Sequence, residues 1–154
     1  MRLYHGTDLS QAENIIKKGV DLSKSRKYLD FGRGFYLTPS YSQAENWSKR
    51  TGSPCVLGFE LDVTNLNVKK FNKADRDWAE FIVKNRLGIP VDEYDVVSGP
   101  MADTGVSHVR RDYLSHRTTF EQAVNKIVGN TIGHQVVVLK KKAVCSLTFI
   151  RKVE

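Results

Sequence analysis

The order of short apolar segments constrains the fold of this 154-residue chain more than any other feature. Short strand-like segments alternate with amphipathic segments that have a capping residue at the start and a glycine near the end. The last two strand-like segments, at about 134–139 and 143–150, follow each other with no predicted helix between them. A doubly wound parallel sheet needs a helical crossover between successive strands. The pattern therefore predicts an α+β fold with short flanking helices.

The individual elements follow from local signals in the sequence. Strands are predicted at 3–5, 35–38, 55–63, 94–97 and in the two final segments. Helices are predicted to begin at Asp8 or Ser10, Ser40, Asn72 and Thr118, and to end near Gly19, Gly52, Gly88 and Gly129. Two of these starts are predicted capping boxes, which pair Ser40 with Gln43 and Thr118 with Glu121. Residues 20–34 and 101–117 are predicted to be loops.

Length and composition predict one globular domain over residues 1–154. The apolar stretches are far shorter than the roughly 20 residues of a membrane-spanning helix, and the first residues lack the apolar segment of a secretory signal. We therefore expect a cytoplasmic protein with no membrane partner. Cys55 and Cys145 fit no disulfide framework or metal spacing and are expected to be reduced and buried. The net charge of +7 would favour a polyanionic partner.

Four sequence features contain polar or aromatic residues of types that are common in binding sites. Each alone is typical of an ordinary structural role, because His, Tyr, Trp and Gln are common in packed or capping positions. Their combination in one short chain favours a functional site. The features are His5-Gly6-Thr7 at the end of the first strand, Gly32-Arg33-Gly34-Phe35-Tyr36 between a loop and a strand, Trp47 in the next helix, and Gln135 at the start of a late strand.

This combination resembles the ADP-ribosyltransferase fold, in the branch that contains diphtheria toxin and the poly(ADP-ribose) polymerases. Members of that branch have a His-Gly-Ser/Thr motif, a Gly-x-Gly-Ile/Phe-Tyr motif, a second aromatic residue in the following helix, and a Glu or Gln at the start of a late strand. The chain also looks like a group of short, largely uncharacterised bacterial members regarded as toxins of toxin-antitoxin systems. The segments that carry this second likeness are Leu3-Tyr4-His5-Gly6-Thr7, the stretch 30–38, and the stretch 94–103.

The resemblance implies a split antiparallel β-sheet core and an NAD-dependent mono-ADP-ribosyltransferase that releases nicotinamide, with no metal. It implies that Tyr36 and Trp47 stack on the two faces of nicotinamide, that the Gly6 backbone holds the carboxamide, and that His5 donates to an adenosine-ribose hydroxyl. The implied partners are a macromolecular acceptor, either protein or nucleic acid, and a small antitoxin protein. The implied catalytic residues are His5, Tyr36 and Gln135, and the implied NAD contacts are His5, Gly6, Thr7, Gly34, Tyr36 and Trp47.

Two positions depart from the pattern of the polymerases. Gln135 replaces the usual Glu, and an amide keeps a hydrogen bond to the ribose but cannot act as a general base. We therefore expect transfer of a single ADP-ribose rather than polymer formation, with Asp95 or Asp103 as the candidate base. Ala44 stands where the polymerases have a Ser that binds the carboxamide, and this difference predicts modest NAD affinity.

Three alternatives remain open at the level of sequence. The first is a catalytically degenerate module that binds NAD or an ADP-ribosylated ligand without turnover. The second is a nucleic-acid-binding domain, which the positive charge favours although no known nucleic-acid-binding motif occurs. The third is a tRNA 2′-phosphotransferase, which shares the fold and would use basic residues such as Arg33, Arg110 and Arg111.

Overall fold

The computed structural model describes residues 1–153 and shows seven strands and six α-helices in them. The strands are β1 (Arg2–Asp8), β2 (Phe35–Leu37), β3 (Pro54–Leu61), β4 (Val68–Lys70), β5 (Val96–Ala102), β6 (Thr131–Val138) and β7 (Leu147–Val153). The helices are α1 (Leu9–Lys18), α2 (Tyr41–Ser48), α3 (Arg76–Leu87), α4 (Val109–Leu114), α5 (Phe120–Ile127) and α6 (Lys141–Val144). Two 3-10 turns lie at Leu22–Lys24 and Thr104–His108. None of the helices in this part of the chain is long and apolar enough to cross a membrane.

The strands form two sheets, so the prediction of an α+β fold is confirmed. The first sheet has the order β1-β3-β7 and is antiparallel. The second has the order β2-β6-β5-β4, and its β4 and β5 run parallel while its other pairs are antiparallel. The core is therefore mixed rather than wholly antiparallel. A backbone bridge between Tyr4 and Thr38 joins the two sheets through hydrogen bonds of 2.8 and 2.9 Å.

Strand β6 separates two apolar clusters. Val136 and Val138 point into a cluster with Leu3 and Leu57 of the first sheet, while Val137 points into a second cluster with Trp78 of α3. Successive side chains of a strand lie on opposite faces of its sheet. Because both faces of β6 are covered, its sequence there is an unbroken apolar run instead of an alternating one. The strand that carries Gln135 is thus anchored at the centre of the molecule.

The structure confirms two of the predicted helix starts and corrects two others. Asp8 caps α1 and Ser40 caps α2 through side-chain oxygens that accept a backbone N–H. Helix α3 begins after Asp75 instead of Asn72, because Asp75 lies three residues before the fully buried Trp78 and accepts its N–H. The capping box of α5 uses Thr119 and Gln122, one residue later than predicted.

Strand β5 continues through Gly99 and Pro100, where the sequence predicts a stop. Proline lacks an N–H and is tolerated in a sheet only where the ladder does not need one. Pro100 pairs with His134 of β6, and the backbone N–H and C=O of His134 bond to a side chain outside the ladder instead. The carbonyl of Pro100 accepts the indole N–H of Trp78 at 2.8 Å. Strand β5 therefore continues past Pro100 without leaving a ladder hydrogen bond unmade there.

Three further predictions were wrong. Residues 101–117 contain a 3-10 turn and α4 rather than only loop, because Val106 and Val109 have helical spacing and are buried. The one-turn helix α6 lies between the last two strands. Of the two cysteines, Cys55 is buried as expected, but Cys145 is exposed.

Candidate functional site

The residues implied by the resemblance line one cleft with a volume of about 1210 Å³. Ligand pockets in proteins are typically about 300–1,000 Å³, so the cleft can take a large ligand. Its walls come from the end of β1, the loop before β2, β2 itself, α2 and the start of β6. All of the implied catalytic and NAD-contacting residues line it, namely His5, Gly6, Thr7, Gly34, Tyr36, Trp47 and Gln135.

Tyr36 is held by its hydroxyl, so its ring has a fixed place beside the cleft. The hydroxyl donates to the Gly32 carbonyl at 2.6 Å and accepts the Phe31 N–H at 3.1 Å. Burial is the main cause that raises the pKa of this phenol far above its ordinary value. The hydroxyl therefore stays protonated and serves to anchor the loop, which leaves the half-buried ring as the part of Tyr36 that can contact a ligand.

His5 is a neutral imidazole with a defined orientation. Burial lowers its pKa, although a hydrogen bond to the Tyr36 carbonyl acts in the opposite sense. That bond joins Nδ1 to the carbonyl oxygen at 2.8 Å, so Nδ1 carries the proton. The neutral ring then has only a lone pair at Nε2. His5 can therefore accept a hydrogen bond from a ligand hydroxyl, whereas the resemblance implies that it donates one.

Gln135 is nearly fully buried, with 3% of its surface exposed, and it lines the cleft. Its Nε2 is the one buried side-chain nitrogen or oxygen in the described part of the chain that lacks a hydrogen-bond partner. Leaving such a donor unpaired costs about 1–3 kcal/mol. An unpaired buried donor in the wall of a cleft calls for a specific explanation, and a catalytic or binding role is one of those known for such groups.

Two glycines allow the walls of the cleft to approach each other. A Cβ on Gly6 would lie 1.9 Å from the carbonyl oxygen of Ala44, so only glycine lets α2 pack against β1 there. A Cβ on Gly34 would lie 2.6 Å from the carbonyl oxygen of Val138, so glycine also lets the chain before β2 reach β6. Both motif glycines thus have a packing role in addition to the ligand contacts that the resemblance implies.

The cleft is lined by more positive than negative side chains. It has six Lys and Arg residues and three Asp residues, and only Arg86 among those cations shows an ion pair within residues 1–153. Such a lining favours an anionic ligand through its summed potential. The cations are Lys18, Lys24, Arg26, Arg50, Arg86 and Lys141, and the acids are Asp21, Asp30 and Asp103.

The ion pair of Asp30 with Arg86 is a feature of the cleft that no sequence motif predicts. The two groups lie 2.7 Å apart and their side chains are only 10% and 22% exposed. Burial raises the pKa of Asp30, and the guanidinium of Arg86 opposes that rise. The pair ties the loop before β2 to α3. In the sequence, the one indication of a role for Asp30 is its position two residues before Gly32 of the glycine motif.

The structure separates the two candidate bases. Asp95 is not part of the cleft lining: its carboxylate accepts the Asn67 N–H at 2.8 Å and lies 3.8 Å from the Lys142 ammonium, which is a structural role. The position of Asp95 therefore gives no support to its prediction as a base. Asp103 follows β5 directly, is exposed and lines the cleft. Within residues 1–153, no group of three or more His, Cys, Asp or Glu side chains could hold a metal ion.

Comparison with known proteins places nearly all of the chain in one family without assigning it an activity. No curated protein matches the chain. A family model described as "Protein of unknown function (DUF3990)" matches residues 1–149, which include every residue of the candidate site. The chain therefore belongs to the DUF3990 family.

Proposed function

We propose that this protein is an NAD-dependent mono-ADP-ribosyltransferase. The observation that carries the proposal is the unpartnered Nε2 of Gln135, buried in the wall of a cleft that His5, Tyr36 and Trp47 also line. A ribose hydroxyl of NAD can both donate and accept a hydrogen bond, so it is a suitable partner for the amide of Gln135. Aromatic rings such as those of Tyr36 and Trp47 attract a cationic pyridinium.

The reaction breaks the bond between nicotinamide nitrogen and ribose C1′. The bonding electron pair leaves with nicotinamide, and the ribose develops the positive charge of an oxocarbenium ion. A nucleophilic oxygen or nitrogen of the acceptor then bonds to C1′ and loses its proton. Gln135 would hold the ribose in this step but cannot take that proton, since its amide is not a base. Asp103, an exposed carboxylate of the lining that directly follows β5, is the proposed proton acceptor.

The other residues of the cleft would position the substrate. The Nε2 lone pair of His5 would accept a hydrogen bond from a ribose hydroxyl, because Nδ1 already donates to Tyr36. The surplus of lysine and arginine would neutralise the diphosphate. Binding energy of this kind accelerates the reaction only where it is stronger in the transition state, which is the expected role of Gln135 beside the developing charge.

The proposal can be tested by separating activity from stability at Gln135. We expect Gln135→Met to keep or raise the free energy of unfolding, because it removes an unpaired buried donor while keeping the volume. The same variant should lose at least about 10-fold in nicotinamide release from NAD, which corresponds to one lost transition-state hydrogen bond of about 1.4 kcal/mol. Gln122→Met, on the exposed cap of α5, is the matched control and should keep full activity.

A second candidate function is an NAD-binding or ADP-ribose-binding module without turnover. The neutral amide at Gln135, in place of a carboxylate, favours it. NAD would then raise the melting temperature of the wild-type protein, as any ligand of the native state does, while no nicotinamide is released with or without cell lysate. That result would replace the transferase by the binding module, and absence of both effects would reject both.

The acceptor and the partner are separate parts of the proposal. We propose a macromolecular acceptor, and the positive lining favours nucleic acid as an acceptor of the same site. Labelled NAD incubated with lysate should transfer its label to material that resists dialysis, and nuclease or protease treatment would identify its class. For the proposed antitoxin, we expect a small protein encoded beside this one to suppress that transfer when the two are co-expressed.

A further inference from the structure

The side chain of Gln43 joins two walls of the cleft. The sequence predicts that Gln43 closes a capping box with Ser40 at the start of α2. Ser40 indeed accepts the Gln43 N–H at 3.2 Å, but the Ser40 N–H donates to Thr38. The amide of Gln43 instead reaches across to β6, where its Oε1 accepts the N–H of His134 at 3.2 Å and its Nε2 donates to the carbonyl of the same residue at 3.0 Å.

The two hydrogen bonds replace a missing strand partner. Strand β2 pairs with Val136–Val138 of β6 and ends at Leu37, so it does not reach His134. Pro100, the β5 residue opposite His134, has no N–H to offer. Neither neighbouring strand therefore supplies a hydrogen-bond partner for the backbone N–H and C=O of His134, and Gln43 supplies both. The amide of Gln43 presents one donor and one acceptor, as a peptide group does, and extends the ladder by one residue.

The neighbouring residues leave room for this contact and fix it. A Cβ on Gly133 would lie 2.2 Å from Oε1 of Gln43, so the approach of the amide depends on a glycine there. The ring of His134 is held from β5, where its Nε2 lies 3.0 Å from the Ser98 hydroxyl. Both the backbone and the side chain of His134 are therefore constrained, and His134 immediately precedes Gln135.

We infer that Gln43 is a positioning residue that keeps Trp47 and Gln135 at a fixed separation across the cleft. Gln43 and Trp47 are four residues apart in α2 and so lie on the same face of the helix. Gln135 is next to the residue that Gln43 binds. A shift of α2 along β6 would move the Trp47 ring relative to the Gln135 amide, and an error of about 1 Å in such a geometry can cost about 100-fold in rate. The inference rests on the proposed function for its kinetic consequence.

The decisive variant is Gln43→Glu. A protonated glutamic acid keeps one donor and one acceptor and can make both bonds to His134, whereas the carboxylate has no donor and faces a carbonyl oxygen. The unperturbed pKa of Glu is about 4.3, and burial against a carbonyl raises it. We expect kcat for nicotinamide release at about pH 5 to be within about 3-fold of wild type, and to fall at least 10-fold below it at about pH 8.

Two further variants separate positioning from folding. Gln43→Ala should lower kcat at least 10-fold at every pH while KM for NAD changes less than about 3-fold, and amide exchange at His134 should become at least 10-fold faster. Gln122→Glu, which keeps the α5 cap, should match wild type throughout. Two results would overturn the inference. The first is a Gln43→Glu variant whose activity relative to wild type is the same at every pH. The second is a Gln43→Glu variant that is less stable but whose folded fraction keeps the wild-type kcat.

The exchange measurement distinguishes the two possible failures. If the wild-type protein does not cleave NAD, the proposed function fails, and the contact of Gln43 is then judged by the exchange of the His134 amide alone. Faster exchange in Gln43→Ala would retain the structural link between α2 and β6. Unchanged exchange would overturn the inference whether or not NAD is cleaved.

Discussion

Replacing Gly6 with alanine should test how closely activity depends on the packing of α2. The new Cβ would lie 1.9 Å from the carbonyl oxygen of Ala44, and it would also meet the carbonyl carbon at 2.9 Å and the Ser48 nitrogen at 3.1 Å. Cβ atoms essentially never approach non-bonded heavy atoms more closely than 3.0 Å, so α2 and β1 must separate by about 1.1 Å at this point. The obstacle is helix backbone, which cannot turn aside as a side chain can.

Both the stability and the activity should fall. Overpacking of this kind costs about 1–3 kcal/mol, and because the contact is with backbone we expect the upper part of that range. The same shift displaces Trp47 and Gln43 relative to β6, and a displacement of about 1 Å can lower the rate about 100-fold. Urea unfolding measures the first effect, and nicotinamide release from NAD by the folded protein measures the second.

Gly58→Ala in β3 is the matched control. Gly58 is also a strand glycine, but a Cβ on it would lie 3.6 Å or more from its nearest neighbours, which is ordinary van der Waals contact. We expect its free energy of unfolding to stay within about 0.5 kcal/mol of wild type, as for substitutions that meet no obstacle. A Gly6→Ala variant that is as stable as Gly58→Ala and releases nicotinamide at the wild-type rate would show that the close packing of α2 on β1 is not needed.

Three other predictions concern the cleft. Burial lowers the pKa of His5 below its ordinary value of 6.5, so the contribution of the neutral imidazole to stability is fully present above pH 6.5 and is lost as the pH falls through the lowered pKa. Urea unfolding at several pH values should show that the free energy of unfolding decreases over this range, and His5→Asn should reduce that decrease. Arg86→Met should destabilise the fold by about 3 kcal/mol because it leaves the buried carboxylate of Asp30 without its ionic partner. Adding Asp30→Asn should recover most of this loss in urea unfolding. A maleimide should label Cys145 and not Cys55 in the native protein, which peptide mass spectrometry can check, and equal labelling of both cysteines would contradict their different exposure. Because Cys145 lines the cleft, the label should also slow nicotinamide release.

The sequence was most informative where the signal is local. The caps at Asp8 and Ser40 satisfy N–H groups within the next three residues, and the glycines after α1 and α3 have positive φ angles that favour glycine. The apolar run before Leu139 reveals a strand buried on both faces. These features depend on neighbouring residues alone, so the α+β class could be predicted without knowledge of the packing.

The sequence was less informative where two local signals compete. Asn72 and Asp75 are both good caps, and the burial of Trp78 selects Asp75. Gly99 and Pro100 normally end a strand, yet β5 continues because the backbone at His134 takes its partners elsewhere. In each case a contact distant in the sequence outweighs a preference worth about 1 kcal/mol.

For the candidate site, the order of residues specifies which chemical groups are available, whereas the fold specifies which partners each of them has. The motifs supply the imidazole, the aromatic rings and the amide, and the cleft brings them together. Only the fold shows that Asp95 serves the structure, that Asp30 is paired with Arg86, and that Gln43 binds β6 instead of completing a cap. The physical reason is that a polar group's role depends on which partners lie within hydrogen-bond distance, and those partners here are separated by tens of residues along the chain.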